Sequence, residues 1–301
     1  MTALRAVILG AAAGGGLPQW NCGCTNCAAA RRGEIPAQSQ SSVAISADGD
    51  GWAILNASPD IGRQLFATPA LHPTGPRDVP IRSVVLTNGD IDHVAGLLTL
   101  REKQPFTLWA TPDIVGVIAA NPVFDALDRE LVPRHSVRLG DAFEPAPGLE
   151  ARLFAVPGKV PLYLEGPEAE VMTDLEGEQT VGVELRAGSR RALYIPGCAR
   201  MTPALRGRLE GADLVFFDGT LWRDDEMIRL GLGRKTGARM GHMSMDGEAG
   251  SIAAFRDIRV GRKVFVHMNN TNPVLDPRSA ERRAAEAAGW IVGQDGMEIV
   301  T

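Results

Sequence analysis

The chain has 301 residues, 45% hydrophobic and 22% charged, with a formal net charge of −5. This is the composition of an ordinary globular protein. Its negative balance argues against non-specific nucleic-acid binding, and no apolar run approaches the ~20 residues of a membrane helix. A chain of this length folds as one large domain or two small ones and can bury roughly 75% of its unfolded surface, so it needs no disulfides.

The N-terminus has no basic segment followed by a long apolar core, so it does not read as a secretory signal, and a cytoplasmic location with reduced thiols is expected. Leu4 to Leu9 reads as a short buried strand ended by Gly10. Ala11 to Trp20 is a loop of small residues that lets backbone pass close to another group. It is not a phosphate loop, because no Gly-Lys-Ser/Thr follows.

Three of the four cysteines then fall within six residues, at Cys22, Cys24 and Cys27. Bridges between such close neighbours would be strained, whereas three thiolates can converge on one Zn²⁺. The spacing reads as a structural metal clip; the plain alternative is three inert thiols in a loop.

Ser42–Ser46 and Trp52–Ala57 flank Asp48-Gly49-Asp50-Gly51, a hairpin signal. Ile81–Thr87 is a strand leading into the polar segment Asn88 to His93 and a helix expected over Val94 to Lys103. Phe106–Ala110 is a strand, and Thr111-Pro112-Asp113 starts a helix. Leu149–Val156, Val181–Arg186, Arg191–Ile195, Leu214–Phe217 and Val264–His267 read as strands. Asp246–Arg256 and Ser279–Ala288 read as helices, the second stopped by Gly289. One or two short strands close the chain over Trp290–Val300. Leu164 to Thr180 carries several acidic residues and no basic one; it reads as a solvated loop, with a substrate lid as the sharper alternative. With no linker and no fixed repeat, the expectation is one α/β domain over 1–301, with two mixed sheets packed face to face and helices outside.

The segment Thr87-Asn88-Gly89-Asp90-Ile91-Asp92-His93 resembles the metallo-β-lactamase superfamily, whose signature here is His-x-His-x-Asp-His. The resemblance implies that superfamily's αββα sandwich. The two leading histidines are replaced by Asn88 and Asp90, while Asp92 and His93 match. Lys159 stands where another metal-binding His belongs, Cys198 stands where a bridging Asp belongs, and His267 matches the last metal-binding His. The first metal position is thus largely lost. Asp92, His93 and His267 survive at the second, with Asp90 as a further ligand or a hydrogen-bond partner and Cys198 as a fourth contact or a bystander. Two histidines and a carboxylate with open positions suit a mononuclear metal, ferrous iron in particular, although the same set holds Zn²⁺. A two-metal hydrolase is disfavoured.

Asp218-Gly219-Thr220 and Gly241-His242-Met243 resemble the acid and His of the superfamily's RNA-processing and phosphodiesterase branch. His242 would act as a general acid or base oriented by Asp218; the alternative is that His242 caps the helix near Asp246. Arg223, Arg234 and Arg239 are either a solvated basic face or guanidinium forks for substrate carboxylates.

Together with Asp218–Trp222, Gly241–Ser244 and His267–Pro273, the cysteine clip and the Thr87–His93 segment are similar to the B-protein family of pyrroloquinoline quinone (PQQ) biosynthesis, across essentially the whole chain. The resemblance implies either metal-dependent oxygenation of the tyrosine ring of a Glu–Tyr-derived PQQ precursor or carriage of PQQ or its precursor toward the periplasm. PQQ or its precursor, and other PQQ-biosynthesis proteins, would be the partners, with a homo-oligomer possible and no membrane insertion. In the related phosphodiesterase branch a His three residues beyond the last active-site His completes the cysteine clip; here that position is Asn270.

Overall fold

Continuous apolar runs that end in polar residues are the main structural theme of the chain. The computed structural model describes residues 3–166 and 172–301. The strands are β1 (Arg5–Gly10), β2 (Ser42–Ser46), β3 (Trp52–Leu55), β4 (Ile81–Val85), β5 (Thr107–Ala110), β6 (Arg134–Ser136), β7 (Ala142–Ala146), β8 (Leu149–Ala155), β9 (Val181–Ala187), β10 (Arg190–Ile195), β11 (Ala212–Asp218), β12 (Val260–Val266), β13 (Trp290–Val292) and β14 (Glu298–Val300). They form two seven-stranded sheets, β14-β1-β2-β3-β4-β5-β6 and β13-β12-β11-β10-β9-β8-β7. In each sheet one half is antiparallel and the other parallel.

This is the expected αββα sandwich of two mixed sheets. Parallel strands covered on both faces read as unbroken apolar runs, and β11, Ala-Asp-Leu-Val-Phe-Phe-Asp, is buried at every position but Asp213. Side chains alternate between faces along each strand. Tyr194 of β10 and its registered neighbour Phe216 of β11 face the first sheet, and the Tyr194 hydroxyl lies 3.1 Å from Ser41 Oγ. Phe217 and Phe265 face the other way, where Trp290 stacks on Phe265 at 3.7 Å between ring centroids and Phe255 packs on both Phe217 and Trp290 at 4.9 Å.

Several expectations change. The helix expected over Val94–Lys103 begins earlier, at Ile91–Val94, and gives way to a 3₁₀ turn at Ala95–Leu98. Gly96 presses this segment onto the turn that follows β3: its N–H donates to Ala57 O at 2.9 Å, and a Cβ there would lie 2.1 Å from Ser58 O. The helix expected over Asp246–Arg256 shrinks to Ser251–Ala254. Gly247 has φ 92°, which breaks a right-handed helix, and a Cβ at Gly250 would lie 2.3 Å from Asp246 O. The two short strands at the C-terminus lie in different sheets.

Helices Thr25–Arg31, Ile61–Ala67 and Pro203–Leu209 and strands β6 and β7 have no counterpart in the sequence reading. Of the acidic segment Leu164–Thr180, residues 167–171 lie outside the described residues, while Leu175 is bridged to Gly158. Among the described residues no helix is long and apolar enough to cross a membrane.

The aromatic cluster under β11 and β12 supports the strand ends that carry polar residues. Trp290→Ala is expected to destabilise the fold by about 3–5 kcal/mol, read as a lower urea midpoint; a loss under about 1 kcal/mol would show that the cluster does not carry this packing.

Candidate metal centre

Four parallel strands deliver polar residues to the same end of the sandwich. Ligand sites of open α/β sheets form at carboxyl ends of strands. Here β4 leads to Asn88–His93, β10 to Gly197 and Cys198, β11 ends at Asp218, and β12 leads to His267. They meet around a cavity of about 370 Å³ whose lining includes Asp92, His93, His242 and His267. The glycine loop serves this cavity: a Cβ at Gly14 would lie 3.4 Å from Asp92 Oδ2, so backbone passes beside the carboxylate.

Two groups here can hold a metal ion, Asp92/His93/His267 and Asp218/His242/His267, each with its ligand atoms within 4.8 Å of one another. Hydrogen bonding separates their roles. His93 Nδ1 lies 2.6 Å from Asn88 Oδ1, an acceptor, so Nδ1 carries the proton and Nε2 presents a lone pair. That Nε2 is buried without a hydrogen-bond partner among the described residues, 3.9 Å from Asp92 Oδ2. An unpartnered, unprotonated, buried nitrogen beside a carboxylate is what a metal ligand requires.

His267 is fixed from the other side. The single hydroxyl proton of Thr220 has an acceptor in Asp218 Oδ1 at 2.6 Å, so His267 Nδ1–H donates to Thr220 Oγ1 at 2.9 Å. His267 Nε2 faces Asp92 Oδ2 at 3.2 Å.

The second group is arranged differently. Asp218 is fully buried, and its Oδ2 accepts from Cys198 N at 2.9 Å and from His242 Nδ1 at 2.7 Å. His242 Nδ1 is thereby engaged, and its Nε2 is the nitrogen available to the cavity that His242 lines. His242 therefore does not cap a helix at Asp246, where none forms.

Electrostatics follow the same division. Burial alone would raise the Asp92 carboxyl, but the facing His93 and His267 hold it well below the usual carboxylate range. Burial pushes His93 down to about 4, so it is neutral at pH 7. Burial also opposes the His267 imidazolium, yet Asp92, Asp218 and Asp90 outweigh it and raise His267. Burial and the Asp92 charge raise Asp90. Burial would raise Asp218, but His242 and His267 hold it down.

The other residues singled out from sequence fall into place unequally. Asp90 belongs to neither metal-capable group among the described residues; its Oδ2 accepts from Asn88 Nδ2 at 2.8 Å. Cys198 is likewise in neither: its thiol is buried, raised by that burial, and 3.2 Å from Arg200 O. Arg239 pairs with Glu165 at 3.0 Å near the cavity. Arg223 pairs with Asp225 and lines a separate cavity beside Cys24, and Arg234 is exposed. Asn88 and Thr220 also line the cavity, and the sequence reading gave neither a supporting role.

Cys22, Cys24 and Cys27 form a third metal-capable group. The Asn270 amide nitrogen lies 3.2, 3.5 and 3.3 Å from the three sulfurs. A fourth ligand oxygen of a tetrahedral Zn–S₃O site would lie about 3.5 Å from each sulfur, from bond lengths near 2.3 and 2.0 Å. Burial pushes Cys27 up to about 11, and a bound cation would deprotonate it.

Residues 51–268 match the model of the β-lactamase superfamily domain. Coenzyme PQQ synthesis protein B of Methylorubrum extorquens (strain PA1) is 55% identical over 299 residues, covering 98% of this chain and 99% of that protein. The protein of the same name from Rhizobium meliloti (strain 1021) is 57% identical over 298 residues, covering 98% and 97%. The crystal structure of Zn(2+)-bound PqqB from Methylobacterium extorquens superposes with a TM-score of 0.96 at 55% identity, covering 98% of this chain and 99% of that one. A diphosphatase from the PhnP family shares the fold at 20% identity, with a TM-score of 0.71 over 99% and 97% of the two chains.

Asp92, Asp218 and Asp90 favour the His267 imidazolium, so metal and proton compete for His267. With the cysteine group already loaded, Zn²⁺ binding is expected to release protons, more at low pH than at high, measured by calorimetry in buffers of different ionisation enthalpy. Affinity should rise with pH until His267 is neutral and then level off; binding with no proton release would contradict this. Asn88→Ala should weaken metal binding about 10–100-fold with little change in thermal unfolding.

Proposed function

The chain belongs to the metallo-β-lactamase superfamily and, within it, to the coenzyme PQQ synthesis protein B family; from that premise we propose that it is a mononuclear metal-dependent oxygenase of the tyrosine ring in a Glu–Tyr-derived PQQ precursor. The metal ligands are Asp92, His93 and His267. The observation that carries this reading is His93 Nε2, buried without a partner among the described residues, its tautomer set by Asn88. A relative of 55% identity that is Zn(2+)-bound supports a metal in this protein. Iron(II), when bound to two histidines and a carboxylate with open positions, supplies activation of dioxygen.

The chain's own residues do the rest. His242, oriented by ionised Asp218, takes the phenol proton through Nε2. Thr220 joins the two histidines, 3.1 Å from His242 Nδ1 and 2.9 Å from His267 Nδ1, and so fixes their separation. Lys159 Nζ pairs with Glu165 and the Cys198 thiol meets Arg200 O, so neither supplies the second metal position that two-metal hydrolysis needs. A zinc ion held by Cys22, Cys24 and Cys27, with Asn270 turning its Oδ1 onto it as fourth contact, has a structural task. It ties the N-terminal loop to the segment that carries His267. Residues 1–301 act as one unit, since both sheets supply the site.

Protein purified anaerobically and given Fe(II), O₂, a two-electron reductant such as ascorbate and a Glu–Tyr-type precursor should consume oxygen, place one oxygen atom on the ring and release the other as water. Asp92→Ala should abolish this. His242→Ala should lower kcat about 10²–10⁴-fold while retaining the metal. Unchanged turnover in Asp92→Ala would refute Asp92 as a metal ligand, and tight PQQ binding with no oxygen uptake in the wild type would refute the oxygenase and favour a carrier.

A further inference from the structure

Glu165 is surrounded by cations out of proportion to its single charge. Its Oε1 lies 2.8 Å from Lys159 Nζ, and its Oε2 lies 3.0 Å from Arg239 Nη2 and 3.5 Å from Lys235 Nζ. The Glu165 side chain is only 7% exposed, against 13% for Lys159 and 20% for Arg239. Burial would raise its carboxyl, but hydrogen bonds from Arg239 and Lys159 and the nearby lysine charges hold it down at about 2. Among the described residues three cations gather on this one carboxylate, with Asp90 also acting on Lys159, and cations grouped in a poorly solvated place favour a further anion.

Arg239 is only part used. Its Nη2 meets Glu165, while its Nε and Nη1 are buried without a hydrogen-bond partner among the described residues. A guanidinium fork takes a carboxylate edge-on through two nitrogens. Lys159 and Lys235 also line the cavity that holds Asp92, His93 and His267, so the cations and the metal-capable residues share one enclosure.

The segment that brings Glu165 here is lightly attached. Leu162, Tyr163 and Leu164 are 62%, 46% and 50% exposed. Their side-chain hydrogen bond to the body is Tyr163 Oη–H to Gly89 O at 2.6 Å. Little apolar area is lost if Glu165 leaves.

We propose that Lys159, Lys235 and Arg239 form a subsite for the carboxylates of an aromatic polycarboxylate, and that Glu165 holds the place of one such carboxylate until the ligand arrives. The ligand class rests on the reading given under Proposed function, since PQQ carries three carboxylates on fused aromatic rings. The subsite orients the ring toward the metal residues and selects against uncharged phenols.

The test is calorimetric titration of zinc-loaded protein with benzene-1,3,5-tricarboxylate and with PQQ, using the trimethyl ester of the first as control. Glu165→Gln should tighten both acids at least tenfold, because a built-in competitor is removed. Lys235→Gln, a substitution at a cation 35% exposed, should loosen both at least tenfold and keep the fold, as read by thermal unfolding. The ester should not bind. Unchanged or weaker binding in Glu165→Gln, or unchanged binding in Lys235→Gln, would overturn the subsite and leave the cluster a structural lock. Oxygen uptake separates the two readings. If the wild type consumes none but the affinity pattern holds, the oxygenase falls and the subsite stands.

Discussion

The structure depends on how the backbone at His267 is held. This residue has φ 57°, a left-handed conformation that costs a non-glycine residue on the order of 1–3 kcal/mol. The surroundings over-determine it. Met268 N donates to Ala11 O, Ala13 N to Met268 O, and Asn269 N to Thr220 O. Asn26 Nδ2 reaches both Asn270 O and Asn272 O, and Asn270 faces the three clip sulfurs. The glycine loop, the clip and β11 thus converge on one imidazole, the residue common to both groups around the cavity. The cysteine clip lies apart from the cavity but is three residues from His267 along the chain at Asn270.

The substitutions at the superfamily's first metal position are coordinated rather than simply lost ligands. Asn88 sets the His93 tautomer and holds Asp90. Lys159 turns to Glu165. Cys198 replaces a bridging carboxylate with a neutral buried thiol, and its backbone N–H serves Asp218 instead. Around the cavity stand two metal-capable groups that share His267, the second containing the Asp218–His242 pair, with a cationic wall beside them.

Much of this was legible in the sequence where the signal was local. Buried parallel strands announce themselves as apolar runs, and Asp92, His93, Asp218 and His267 could be placed by their match to superfamily motifs. The hairpin at Asp48–Gly51 and the helix starts at Thr111 and Ser279 were legible from local residues, and both side chains accept an N–H. Pairings that span long stretches were not. Arg239 and Glu165 are 74 residues apart, and Arg223 and Arg234 looked equivalent to Arg239 until folding separated them. The helix expected at Asp246 is cut short because Gly247 and Gly250 set the backbone there. Asn88 looked like a lost ligand because spacing reveals what a residue replaces, and only geometry reveals what it supports.

The most direct test of the central claim is metal content per chain, measured by elemental analysis after saturation and desalting, for the wild type, His93→Ala and His242→Ala. The account predicts two ions in the wild type, one in the clip and one on Asp92, His93 and His267. It predicts one ion in His93→Ala and two in His242→Ala. Three ions in the wild type, or an ion lost from His242→Ala but kept by His93→Ala, would contradict it.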